Sequence, residues 1–468
     1  MNVSSSHSNP TPTIVSTITM RNYTLAKLTI ALSIGIYRFK AKYFDSTTCL
    51  SDPPITVLEE DNSSSSFLSS SSSSWNACNI FSVEYNEARE KFRVAVRQQN
   101  NAELYTLPIL DDESLTIDVA ILPGSRPGAL LHSSGTHGVE GYAGSAIQLA
   151  FLESLKKEDD NDNKENDRPT IVLIHAINPY GMKEYRRPNE HNIDLNRNAI
   201  IGDFDEFVQN RPPNIANYET FRHFVSPTMA PSKWFMTIGF FLQAIPLLLR
   251  HGYLALKQVL VAGQYHHDRG IFFGGTQHEP SLLKLKELVE SLELLDNDVD
   301  PLVWIDVHTG LGKFGKDTLM MDTADISAST FQKWFPTAES IITPNVKDKK
   351  AMGGYELSKG FVLSFFQALK ETKMTALQEG DNNDDTIAHP LFIIQEFGTL
   401  PGILVGRALI LENAMHHHGN NKKESRQLMQ TAFYPQSTKW RESIIQRGIH
   451  LIRQAIAYTN TQKRKPIT

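Results

Sequence analysis

Four short apolar runs constrain this chain most, because each closes on a residue that can do chemistry. GALLHSSG runs into THGVEG, PTIVLIHAINPYG reaches Asn178, LVWIDVHTGLG delivers His308 and PLFIIQEFGTLPG delivers Glu396. Runs of this length bounded by glycine and proline read as buried strands. LTIDVAIL reads as a further strand, FSVEYNEAREKFRVAVRQQN as a helix, and EGYAGSAIQLAFLESLKK as a helix between the first two of the four strands. Strand, helix, strand at that spacing predicts an α/β layer with crossover connections. Ligands of open α/β sheets bind beyond the carboxyl ends of the strands. His137 with Glu140, Asn178, His308 and Glu396 therefore mark one region of the fold.

Composition narrows the class. The chain has 468 residues, 40% hydrophobic and 21% charged, an ordinary globular balance. Its net charge of −6 offers no basic face, so no nucleic-acid partner is expected. The two cysteines, Cys49 and Cys78, precede the region that reads as folded, which excludes a disulfide framework there. Together with Asn-x-Ser/Thr acceptors at Asn2, Asn22 and Asn62 only, this favours a cytoplasmic protein.

Three parts are expected: residues 1–78, 79–460 and a tail at 461–468. The first holds serine tracts that cannot bury enough apolar area to offset chain entropy, and reads as a disordered leader. Within it LTIALSIGIYRFKAK is too short to span a bilayer; a targeting or weak membrane-contact segment is the alternative reading. The second part reads as the folded region and is the expected catalytic domain, for the reasons that follow, with solvated acidic inserts at 157–168 and 379–385. WFMTIGFFLQAIPLLLRHGYLALKQVLVAG is its most apolar stretch. Gln243, Pro246 and Arg250 interrupt it, so a core helix or helix pair is expected rather than a membrane span.

With sixteen histidines, a His-x-x-Glu arises about once by chance, so the pair 137/140 means little alone. Its meaning comes from the other strand ends. A catalytic zinc takes three protein ligands, commonly two histidines and a carboxylate, and leaves a position for water. His137 and Glu140 supply two and His308 can supply the third. Glu396 is then the candidate to move protons, since a carboxylate at a buried strand end is otherwise costly to keep charged. Asp306, beside His308, either orients that ring or is a strand-end hydrogen-bonding group.

THGVEG, NPYGMKEYRRPNEHNIDLNRN, WIDVHTG and QEFGT, in that order, resemble the zinc carboxypeptidase family. More narrowly they resemble a subgroup related to its succinylglutamate desuccinylase/aspartoacylase-like branch. The likeness covers roughly residues 79 to 460, and GQYHHDRGIFFGG at 263–275 strengthens it. It implies an α/β fold with a mixed twisted sheet flanked by helices, and one Zn2+ held by His137, Glu140 and His308. It implies Glu396 as general base and acid, and Arg187, in preference to Arg186, as the group that polarises the scissile carbonyl. Asn196 and Arg197 match the pair that holds a substrate carboxylate, and Asp194 the carboxylate that orients His137. Tyr355 is the choice for the family's mobile tyrosine.

Other polar residues have plainer readings. His175 is expected as a core or turn residue, and His266, His267 and His416 to His418 as exposed. Gly138, Gly141 and Gly144 lack the lysine-serine of a phosphate cradle. The implied function is a metallohydrolase cleaving a peptide or amide bond next to a free carboxylate. Its alternatives are an N-acyl amino acid deacylase on the same fold, or an inactive binding module. A membrane-tethered interaction protein would rest on the leader and residues 234 to 262 alone, with membrane contact expected only through the leader.

Overall fold

The computed structural model describes residues 55–56, 74–75 and 77–461, apart from 111, 160–166, 297–298, 322–325, 344–356 and 379–389. Most of the leader, most of both acidic inserts and Tyr355 lie outside the described residues.

Eight strands form the central sheet: β1 Glu103–Ile109, β2 Asp112–Leu122, β3 Ala129–Ser134, β4 Thr170–His175, β5 Leu302–Phe314, β6 Asp317–Met321, β7 Ser340–Ile342 and β8 Leu391–Gly398. Their spatial order is β1-β2-β4-β3-β5-β8-β6-β7. The four inner strands β4, β3, β5 and β8 run parallel, and antiparallel pairings join β2 to β4 and β6 to β8. The sheet is therefore mixed, as expected.

The inner strands are the four apolar runs of the sequence. Parallel strands reached by crossovers are covered on both faces, which is why these runs are apolar throughout rather than alternating. Successive side chains of β4 divide between two cores, Ile171 and Leu173 to one, Val172 and Ile174 to the other. Helices α1 Tyr85–Arg97, α2 Gly141–Asp159 and α11 Thr438–Thr461 cover the first face. Helices α7 Pro280–Ser291 and α8 Val362–Gln378 cover the second. The short helices α3 Pro179–Glu184, α4 Leu195–Asn198 and α5 Tyr218–Val225, with α9 Gly402–His418 and α10 Lys422–Phe433, lie among these.

From β3 the chain crosses to β4 on one side, and β5 returns on the other side of β3. The crevice where the winding reverses thus opens at the carboxyl ends of β3 and β5, the position where open α/β sheets bind ligands.

Residues 234–262 depart from expectation. A turn at Phe235–Gly239 runs into α6, Phe240–Val261, and Gly252 leaves helical geometry at φ 80 and ψ 159. Phe240, Ala244, Leu256, Val259 and Val261 are buried, but Trp234, Ile238, Leu242, Ile245, Leu249 and Tyr253 are exposed. The segment is a surface helix and not a core helix. Composition could not show this: an apolar helix reads as buried, and only the tertiary arrangement leaves one face of it without a protein partner.

Candidate metal centre

β3 ends at Ser134, and Gly135, at φ 72, turns the chain. His137 then precedes a single 3₁₀ turn, Gly138–Glu140. Side chains three apart eclipse in such a turn, so His137 and Glu140 face the same way. Their Nδ1 and Oε1 atoms lie 3.2 Å apart. Glycine at 138 is required by close packing: a Cβ there would sit 1.8 Å from the carbonyl carbon of Gly181 in α3. The turn is also held by its backbone, Val139 N–H donating to the Arg186 carbonyl at 3.1 Å.

His308 enters from β5. Its Nδ1 lies 3.1 Å from His137 Nδ1 and 3.3 Å from Glu140 Oε2. One nitrogen from each ring and the Glu140 carboxylate thus converge, with donor atoms within 4.8 Å of one another. All three residues are buried.

The opposite ring nitrogens meet carboxylates. His137 Nε2 is 3.1 Å from Asp194 Oδ1, and His308 Nε2 is 2.7 Å from Asp306 Oδ2. An N–H donating there fixes the tautomer that leaves each Nδ1 as an acceptor, the usual support of a metal-binding imidazole. Asp306 stands two residues from His308, on the same face of β5. Ser133 and Thr136 hydroxyls donate to its two oxygens at 2.7 and 2.9 Å. Asp194 caps α4, accepting from Asn196 N–H at 3.0 Å and from Arg187 Nε at 2.9 Å.

The two arginines separate. Arg187 reaches Glu140 Oε1 at 3.3 Å and stacks over the Phe272 ring at 4.7 Å. Arg186 turns away into a buried pair with Glu412 at 2.6 Å and a bond to Asn192 Oδ1 at 2.8 Å. Asn178, one of the four strand-end residues, does not reach the centre. Its Oδ1 accepts from Gly181 N–H and its Nδ2 donates to the Arg187 carbonyl, so it shapes the loop that carries Arg187.

Glu396 is the direct neighbour of His308 in the parallel β5–β8 register. The Leu311 N–H donates to its Oε1 at 2.9 Å, and it lines the same pocket as His137 and His308. Burial and the adjacent Glu140 carboxylate push Glu396 up to about 7. Burial would also raise Glu140, but the His137 and His308 imidazoles hold it well below the ordinary carboxylate range. Asp194 is likewise held low against burial by Arg187 and His137. For His308, burial favours the neutral ring, and Asp306 and Glu140 overturn that and raise it to about 10.

Asn196 lies beside the cluster, with Nδ2 at 3.5 Å from His308 Nε2 and Oδ1 accepting from Val362 N–H at 2.9 Å. Arg197 is buried, its guanidinium donating to the Asn196 and Val261 carbonyls and packed on Phe361. Both line the pocket. His175 is a core residue, stacked on Phe92 with Nε2 on Ser145 Oγ. His266 and His416 are exposed, but His267, His417 and His418 are only partly so, His267 bonding Glu219.

Sequence reasoning missed Thr309, whose N–H donates to Glu140 Oε2 at 2.8 Å, and the Ser133/Thr136 pair beneath Asp306. A signal existed for the latter, because HSSGT is too polar for a strand end buried on all sides.

The donor set fits a divalent cation. Glu140, Asp194, Asp306 and Glu396 gather around two imidazoles with only Arg187 and Arg197 as fixed positive partners. The carboxylates crowded there hold a proton on His308, raised to about 10, and a cation between the two Nδ1 atoms and Glu140 would take that proton's place.

An α/β fold with a His-Glu-His cluster at its switch point defines the class. The chain belongs to the family described as "Protein of unknown function (DUF2817)", which it matches over residues 81–447. No curated protein matches it. Similar solved structures include a metallo-carboxypeptidase from Burkholderia cenocepacia, at 10% identity and a TM-score of 0.36 over 79% of this chain and 69% of that one. Thrombin activatable fibrinolysis inhibitor is similar at 11% identity and 0.41, over 79% and 76%. Murein-tripeptide amidase MpaA from Escherichia coli O157 is similar at 12% identity and 0.30, over 69% and 94%.

Proposed function

We propose that this chain is a zinc-dependent, carboxypeptidase-like hydrolase that cleaves an amide or peptide bond next to a free carboxylate. One observation carries the reading: two imidazole Nδ1 atoms and one carboxylate converge, each imidazole backed by its own carboxylate, with Glu396 alongside. His137, Glu140 and His308 would hold the ion, and a zinc ion there supplies the Lewis acid that activates water and polarises a carbonyl.

The chain's own residues do the rest. Glu396, with Oε1 fixed by the Leu311 amide, accepts the proton of the attacking water and returns it to the leaving nitrogen. Its raised pKa suits both duties near neutral pH. Arg187, oriented by Asp194 and Phe272, faces the Glu140 carboxylate and is placed to stabilise negative charge on the carbonyl oxygen. Asn196 and Arg197 line the pocket and would be the carboxylate-recognising pair, Arg197 by turning the planar fork of its guanidinium from the Asn196 and Val261 carbonyls to the substrate.

A second reading keeps this chemistry and changes the substrate to an N-acyl amino acid. The pocket beyond the cluster favours it, being walled by Phe224, Leu256, Leu260, Ile403, Leu409 and Phe433. Assays of C-terminally free peptides and of N-acyl amino acids, with and without chelator, test both. Chelator-sensitive hydrolysis of either class, lost in Glu396→Gln with metal retained, supports the hydrolase. Equal turnover in wild type and variant removes Glu396 from the chemistry.

A further inference from the structure

Eight of the thirteen large apolar side chains exposed among the described residues fall between 229 and 254. Six of them, Trp234, Ile238, Leu242, Ile245, Leu249 and Tyr253, are spaced by three or four residues, and Leu249 is 84% exposed. That spacing places the first five in one stripe along the outer face of α6 and the turn before it, and Tyr253 follows the break at Gly252. The inner face is occupied, with Phe240, Ala244, Leu256 and Val259 packed into the body.

The charge around the stripe is one-sided. From residue 220 to residue 267 there is no aspartate or glutamate, while Arg222, Lys233, Arg250 and Lys257 all fall there, in a chain of net charge −6. Arg222 is paired with Glu219 at 3.1 Å, but Lys233 and Arg250 are exposed, and an apolar stripe whose own segment carries cations and no anion is complementary to an anionic lipid surface.

The stripe also meets the pocket. Tyr253 is both part of the exposed row and part of the pocket lining, so the mouth opens on this face. Behind the mouth lies a cavity of about 100 Å³, apolar along most of its wall, with His137, His308 and Glu396 among its polar lining. The wall between is supplied by Leu256 and Leu260 of α6 and by Ile403, Leu409 and Ile410 of α9.

We propose that α6 seats on an anionic lipid surface, and that the pocket draws from it a lipidic amide, a long-chain N-acyl amino acid or its like. The apolar chain lies between α6 and α9, and the amide reaches the histidine cluster. The substrate part of this inference rests on the hydrolase reading above; the docking part stands on the stripe and its charge. Residues Phe235–Val261 are long and apolar enough to cross a bilayer. The buried inner face and the break at Gly252 instead lay the segment along the body, half in and half out of protein.

The test uses the full chain. In flotation with phosphatidylcholine vesicles, with or without phosphatidylserine, it is expected to bind the anionic vesicles only, to weaken with salt and to be released by alkaline carbonate. Ile245→Glu/Leu249→Glu, with melting temperature and metal content as wild type, should bind at least tenfold less. Across N-acyl amino acids of increasing length, kcat/KM should rise up to roughly fourfold per methylene until the pocket is full. Gly406→Val should shift that optimum to shorter chains, because a Cβ at 406 comes within 3.2 Å of Leu260 Cδ1. Equal vesicle binding by wild type and double variant, carbonate resistance, or a stripe-mediated dimer abolished by the same variant overturns the docking. A flat chain-length profile overturns the substrate class while leaving the hydrolase. Failure to cleave any amide removes the hydrolase and the substrate class together, and flotation still decides the docking.

Discussion

His137 and His308 each place one ring nitrogen on a carboxylate and the other toward Glu140, so either carboxylate can be tested separately from the ligands. Asp194→Asn and Asp306→Asn should each weaken zinc binding about 10- to 100-fold without unfolding the chain, as read by competition with a chromogenic chelator. Zinc must displace the proton that Asp306 and Glu140 stabilise on His308, whose pKa is raised to about 10 in the absence of an ion. Apparent zinc affinity should therefore climb as pH rises from about 6 to about 9, and a flat profile would contradict the ligand assignment. Glu396 has to be ionised to accept a proton. Burial and Glu140 raise it to about 7, and a cation on Glu140 offsets the second cause. The acid limb of kcat/KM should accordingly lie between the ordinary glutamate value of about 4.3 and that raised value, activity falling as pH drops through it. Glu396→Gln should lower kcat by about 10²- to 10⁴-fold.

At the scale of elements, the site depends on how the 3₁₀ turn docks on α3 and the loop after it. Gly138→Ala has no room against Gly181 and should cost about 1–3 kcal/mol in stability, measured by denaturant unfolding. Arg186→Leu leaves Glu412 buried without its partner, so it should cost about 3–5 kcal/mol yet retain zinc in the fraction that folds. The strands were legible because parallel inner strands leave continuous apolar runs, and three of the four lead to residues of the cluster or to Glu396, the fourth to Asn178, which does not reach it. The candidate ligands were legible because their residue types are narrow. Thr309 was not, since it acts through its backbone amide, which every residue but proline has. Nor was the cap at Asn178, because an asparagine after a strand reads alike whether it faces a ligand or closes a helix.

At the scale of the molecule, sheet order was the step from pattern to site. Strand runs alone do not say that β3 and β5 lie side by side, and that adjacency is what brings positions 137 and 308 together across 171 residues. The exposure of α6 was invisible for the converse reason: its composition suits a core, and only the finished packing shows that both sheet faces are already covered. Because the ligands come from separate elements, an ion that binds the folded chain alone should add stability by mass action, about 4 kcal/mol at a thousandfold excess over Kd. Chelation should lower the melting temperature accordingly, and a chelator-insensitive melt would argue against a resident ion.

The most direct measurement is the metal content of protein purified without chelator, by inductively coupled plasma mass spectrometry, for the wild type and for His137→Ala, Glu140→Ala and His308→Ala. One zinc per chain, lost in each folded variant, is the expected result. A wild type without metal, or variants that keep it, would contradict the centre.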